Sequence, residues 1–191
     1  MILVDANLLL YGYDQSSSWH RPSKTWLEKC LMDESRVGLA WVTILAFLRI
    51  TTHPRLPGPI SLADAIAIVN DWLSLPSVVV LSPGERHWEI LSNLLPAAGA
   101  SGPLVMDAHL AALAIEHGAT LCTNDRDFAR FPGLKWMNPL PPSGPHSKQS
   151  PVRAHRKRKL NCGFTPTRGY ESLRDPLEKY RKRLLFAGPE G

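Results

Sequence analysis

The sequence predicts a three-layer α/β/α domain around a central, mostly parallel sheet, with a Pro-rich basic tail after it. Three observations carry this. Short apolar runs, among them Ile2-Leu3-Val4 and Val78-Val79-Val80-Leu81, read as buried strands. Between them lie longer stretches with apolar residues at helical spacing, and such alternation implies βαβ crossovers and a parallel sheet. After Pro139 the chain turns rich in Pro, Gly and Ser, then basic in the run Arg156-Lys157-Arg158-Lys159. That shift puts the domain at residues 1–140 and a poorly ordered tail at 141–191, with one possible helix at 176–186.

The elements follow in order. Ile2-Leu3-Val4 runs into Asp5-Ala6-Asn7, a strand ending in a turn or helix start. Leu27, Cys30 and Leu31 mark a helix over residues 19–31. A second strand at 38–42 leads to a helix that Thr43 caps, carrying Ile44, Phe47, Leu48 and Ile50 and stopping before Pro54. Residues 54–59 form a turn-rich connector. Ser61, with Asp64 three residues on, opens the next helix like a weak capping box; Leu62, Ile66, Val69 and Leu73 line its expected apolar face. The run at 78–81 is a strand buried on both faces, and Trp88, Leu91, Leu94 and Leu95 mark a helix ending near Pro96. A loop at 99–103 precedes a helix over 107–117 that stops at Gly118. Strands at 119–122 and 134–137 complete the sheet.

Composition excludes some functions. In 191 residues, 44% of them hydrophobic, no apolar run approaches the ~20 residues of a membrane span. The N-terminus lacks the basic region of a signal peptide, which points to a cytoplasmic protein. Cys30, Cys122 and Cys162 are odd in number and far apart, so they read as inert thiols and not as a disulfide framework or zinc site. The net charge of +5 is uneven. Residues 142–191 hold 12 of the 22 Lys and Arg but 4 of the 17 acids, net +8, leaving 10 basic and 13 acidic residues, net −3, for 1–141. The basic character belongs to the tail.

Functional groups in an open α/β sheet gather beyond the carboxyl ends of its strands, and three acids fall there or beside. Asp5 closes the first strand, Asp125 follows the strand at 119–122, and Asp107 begins the helix leading into that strand. Packed carboxylates repel one another. A divalent cation removes that penalty and makes a hard-oxygen site suited to Mg²⁺ or Mn²⁺, able to activate water for phosphoryl displacement. Structural readings stand beside these. Asp107 also fits an N-cap, Asp5 an Asx-turn with Asn7 as the cap, and Asp125 with Asp127 the start of a helix. His20 and His109 read as structural, and the six tryptophans, from Trp19 to Trp136, as core. Arg49, Arg55, Arg86, Arg126 and Arg130 are the domain's candidates for phosphate contacts.

Several stretches together resemble the PIN domain, and specifically the VapC toxins of bacterial toxin–antitoxin pairs. They are Ile2-Leu3-Val4-Asp5-Ala6-Asn7, the segment from Trp41 to Arg49, Asp107 to Ala114, and Gly118 to Asp125 with Asp127-Phe128, in the family's order across residues 1–140. The resemblance implies a metal-dependent endoribonuclease that cleaves RNA phosphodiester bonds, a cognate antitoxin occupying its groove, and a homodimer. By position, Asp5 and Asp107 match the metal-ligating and catalytic pair, Asp125 a further acid of the site, and Asn7 and Thr123 polar neighbours that orient them. One departure stands out: many members carry a Glu in the second motif where this chain has Phe47, with Asp14 or Asp127 the nearest substitutes. That motivates an alternative, a non-catalytic PIN-like binding module. A phosphatase of the haloacid-dehalogenase type ranks below both, because Asn7 stands where its second Asp would be.

Overall fold

The computed structural model describes residues 1–32, 36–54 and 59–142. Arg55, the centre of the 54–59 connector, Cys162, the tail and its possible helix lie outside the described residues. Strand β1 (Ile2–Val4) leads into helix α1 (Ala6–Tyr13), then α2 (His20–Met32), β2 (Val37–Ala40), α3 (Trp41–Thr51), α4 (Leu62–Leu73) and β3 (Val78–Leu81). Helices α5 (His87–Ala97) and α6 (Leu104–Glu116) follow, then β4 (Thr120–Cys122), a 3₁₀ turn (Arg126–Arg130) and β5 (Trp136–Met137).

The five strands are all parallel, in the order β3-β2-β1-β4-β5. The expected three layers are present. Strand alternation sends successive side chains to opposite faces: Val4, Leu39 and Cys122 join the core under α1 to α4, while Leu3, Ala40 and Leu121 join the core under α5 and α6. The chain moves outward from β1 to β2 and β3, then returns through α6 to the other side of β1. The switch point of the sheet therefore lies between β1 and β4, where a ligand crevice is expected in such sheets.

Local signals hold at several positions. Ser61 caps α4, accepting from Asp64 N–H at 3.0 Å, and Gly118 adopts φ 61° just past α6, a conformation that costs glycine nothing. Four expectations change. Helix α3 starts at Trp41, straight from the strand, so the cap position is Ala40 and Thr43 is a buried residue inside the helix. Helix α4 buries Ala65, Ile68, Val69 and Trp72 and leaves Leu62 60% and Ile66 45% exposed. The reason is Trp72, whose ring packs on Phe47 at 4.8 Å and Tyr13 at 5.8 Å and turns the helix by that contact. Strand β3 is an edge strand, with Leu81 its one buried residue and the three valines half-buried. Trp41 and Trp88 are exposed, at 52% and 71%, and so are not core.

Candidate metal centre

The acid cluster is assembled by strand pairing. Because β1 and β4 are hydrogen-bonded neighbours, Asp5 N–H donates to Cys122 O at 3.0 Å, and the residues that follow each strand come side by side. Asp5 caps α1: its Oδ1 accepts from Ala6 N–H at 2.6 Å. Its Oδ2 accepts from Thr123 Oγ1 at 2.7 Å and from Asn7 Nδ2 at 2.8 Å. The cap is thus Asp5 and not Asn7. Thr123, fully buried, ties the group together, since its Oγ1 also accepts from Asn7 Nδ2 at 2.9 Å and Asp125 N–H at 3.0 Å. Asn7 reaches further, its Oδ1 accepting from Asn124 N–H at 3.4 Å.

Asp107 lies in the first turn of α6, which begins at Leu104; the cap position is Pro103, so capping does not account for the acid. Asp125 does cap, accepting from Asp127 N–H at 2.8 Å ahead of the 3₁₀ turn. One of its oxygens is engaged there, and the structural reading of this residue is realised alongside its place near the other acids.

Electrostatics show that these acids share one field. Burial raises the pKa of Asp5 to about 6 against the hydrogen bonds from Thr123, Ala6 and Asn7, and the charge of Asp125 raises it further. Asp107 is pushed to about 6 by burial first, then by Asp5, Asp125 and Asp127. Among the described residues no Lys or Arg forms an ion pair with any of the four. Nor do three acid, His or Cys side chains gather tightly enough to enclose an ion by themselves. An open set of oxygen donors with unbalanced negative charge fits Mg²⁺, which keeps several waters and takes one or two carboxylates plus substrate phosphates.

Phe47 puts a ring where the second motif of the resemblance carries a carboxylate. It is fully buried with its ring 5.3 Å from that of Tyr13, which closes α1. Asp5 caps the other end of that eight-residue helix, about 12 Å along its axis. Asp14 caps the same far end of α1 and accepts from Ser16, so it does not join the acids, whereas Asp127 does act on Asp107. Of the arginines, Arg126 and Arg130 bound the 3₁₀ turn that Asp125 caps. His20 is structural as expected, its Nδ1 3.1 Å from Tyr11 O. His109 is not alone: it meets His87, a pairing for which residues 22 apart give no sequence signal.

Comparison with known proteins places this architecture. A family model described as the PIN domain matches residues 2–134. Ribonuclease VapC37 of Mycobacterium tuberculosis is 47% identical over 140 residues, covering 73% of this chain and 97% of the relative. Ribonuclease VapC33 of the same species is 43% identical over 141 residues, covering 73% of this chain and 99% of the relative. Among solved structures, VapBC2 from Rickettsia felis bound to a promoter DNA fragment superposes with a TM-score of 0.55 at 18% identity, covering 72% of this chain and 98% of that one. VapBC-1 from nontypeable Haemophilus influenzae gives 0.53 at 20%, covering 73% and 98%. At those identities the structures speak to fold, and the sequence relatives to kinship. The chain belongs to the PIN-domain family and, within it, to the VapC ribonucleases.

Proposed function

We propose that this chain is an endoribonuclease, the toxin of a toxin–antitoxin pair, and that it hydrolyses RNA phosphodiester bonds at the acid centre with Mg²⁺ or Mn²⁺ as cofactor. The observation that carries the reading is the set of mutually repelling carboxylates at the β1/β4 switch point, without an ion-pair partner among the described residues, in a chain 47% identical over 140 residues to a ribonuclease. Asp5 and Asp107 hold the cation, and Asp125 completes the site or orients the attacking water. The ion, when bound, neutralises the acids and supplies Lewis-acid activation for in-line displacement at phosphorus. Thr123 and Asn7 fix the Asp5 carboxylate, both donating to Oδ2, so that its orientation is set before substrate arrives. Exposed Arg126 and Arg130, at the ends of the 3₁₀ turn that Asp125 caps, are the candidates for contacts to RNA phosphates.

The partner follows from kinship. One superposing structure is titled a toxin–antitoxin complex, from Klebsiella pneumoniae, and a pairing of that kind, with a cognate antitoxin across the acid groove and a second copy of the toxin, is assigned to this chain. The non-catalytic alternative rested on Phe47. Buried against Tyr13 and Trp72, that ring supplies no oxygen donor and leaves the cation to Asp5, Asp107, Asp125 and water, while kinship with ribonucleases favours the catalytic reading. Among the described residues no helix is long and apolar enough to cross a membrane.

The test is cleavage of cellular RNA by the full chain with and without Mg²⁺. Asp5→Asn and Asp107→Asn are expected to abolish cleavage while circular dichroism stays that of the wild type, and chelation is expected to silence the wild type. Metal-dependent cleavage retained in both variants would overturn the assignment.

A further inference from the structure

Helices α5 and α6 carry a cluster that the acid centre does not use. His87, at the start of α5, is buried, and its ring meets that of half-buried His109 on α6 edge-on, 4.8 Å between centroids at 75°. His87 Nε2 and His109 Nδ1 are 2.9 Å apart. On the other edge of its ring, His87 Nδ1 faces Glu116 Oε2 at 3.4 Å, buried and without a well-formed hydrogen bond. Glu116 is itself held: Oε2 accepts from Gly84 N–H at 3.0 Å and Oε1 from Arg86 N–H at 3.1 Å.

Glu116, fixed by two backbone donors, faces His87 Nδ1 as an acceptor, and the tautomer with its proton on Nδ1 presents a lone pair at Nε2. His109 then either donates from Nδ1 to that lone pair or, in its other tautomer, aims a second lone pair at the same point. The exchange of tautomer leaves the proton on His109 Nε2, on a ring that is half-buried and within reach of solvent. A carboxylate behind one imidazole is the usual support of a metal-binding histidine, because it fixes the ring and raises its basicity. Two nitrogens ligating one tetrahedral ion at ~2.0–2.1 Å stand about 3.3 Å apart. Reaching that distance from 2.9 Å, with both lone pairs converging on one ion, takes a turn of both rings.

We propose that His87 Nε2 and His109 Nδ1 form a second metal site, for a transition ion of the Zn²⁺ or Ni²⁺ class, with Glu116 fixing the His87 ring and water completing the coordination. Imidazole donors select such ions, whereas the carboxylates of the acid centre select hard ones. The sites are separate in space. Asp107 and His109 are two residues apart, which at 3.6 residues per turn puts them about 200° apart around α6. The site joins the first turn of α5 and the loop before it to α6, so an ion there braces the helical hairpin that covers one face of the sheet.

The experiment is calorimetric titration of the untagged full chain with Ni²⁺ alone, in buffer holding excess Mg²⁺ to occupy the acid centre. One ion is expected to bind. Affinity is expected to fall at least about tenfold in His109→Gln, with circular dichroism checking that the variant is folded, and to stay unchanged in Asp5→Asn. Imidazole ¹⁵N resonances of His87 and His109 are expected to move on titration. Absence of binding, wild-type affinity in His109→Gln, or loss of binding in Asp5→Asn would each overturn the proposal.

Discussion

Asp107 is held in a field that disfavours its own charge. Burial and the neighbouring Asp5, Asp125 and Asp127 raise its pKa to about 6 from 3.8, and each unit corresponds to about 1.4 kcal/mol. Its folded pKa lies above the unfolded value, so its contribution favours folding below that unfolded value and is lost as pH rises through the folded one. At pH 7 without a divalent ion the ionised group therefore strains the fold. Asp107→Asn removes that charge while keeping the shape, and the metal-free variant is expected to be more stable than wild type by about 1–2 kcal/mol after solvent screening of a partly exposed group. Melting curves with and without Mg²⁺ check this: the added ion is expected to raise the wild-type Tm and to leave the variant nearly unmoved. A residue whose removal stabilises the protein and silences it is retained for chemistry.

At the scale of elements, the hairpin of α5 and α6 depends on Glu116. Burial works to raise its pKa, but the N–H groups of Gly84 and Arg86, with His87 and His117, outweigh it and hold the pKa below the usual 4.5. A depressed carboxylate stabilises the fold above its unfolded pKa, and that contribution is lost as pH falls through the folded one. Urea unfolding of Glu116→Gln against wild type is expected to show the full stability difference at pH 7, a shrinking one below pH 4.5, and none at lower pH still. A difference independent of pH would show that shape, and not charge, is what Glu116 supplies. The same scale explains the misread faces. In α4 the periodicity admits two adjacent stripes sharing Val69; the large ring of Trp72, packed on Phe47 and Tyr13, selects between them.

At the scale of the molecule, charge and chain length combine. The relatives are covered to 97% and 99% of their length by about 140 residues of this chain, so the segment carrying a net +8 has no counterpart in them, while residues 1–141 carry −3. An acidic body binds a polyanion only where local arginines or bound cations offset it, and added lysines and arginines make affinity fall more steeply with salt. RNA binding by the full chain and by residues 1–142 across a salt series is expected to give a shallower slope for the shorter chain, with its Mg²⁺-dependent cleavage retained. Equal slopes would mean that the tail contacts no phosphate.

Strand and helix alternation, the cap at Ser61, the stop at Gly118 and the positions of Asp5, Asp107 and Asp125 were all legible in the chain, because local periodicity, capping chemistry and parallel-sheet topology act through near neighbours or through simple rules of connection. Other features were decided by contacts between distant segments. Thr123 bridges Asp5 and Asp125 because β1 and β4 pair; Phe47 meets Tyr13 and Trp72 because α1, α3 and α4 pack on one face of the sheet; His87 finds His109 because two helices fold back on one another. Sequence sets which groups are present and on which element. Which groups share a field, a proton or an ion depends on distances of a few ångströms, and only the packing of helices on the sheet fixes those.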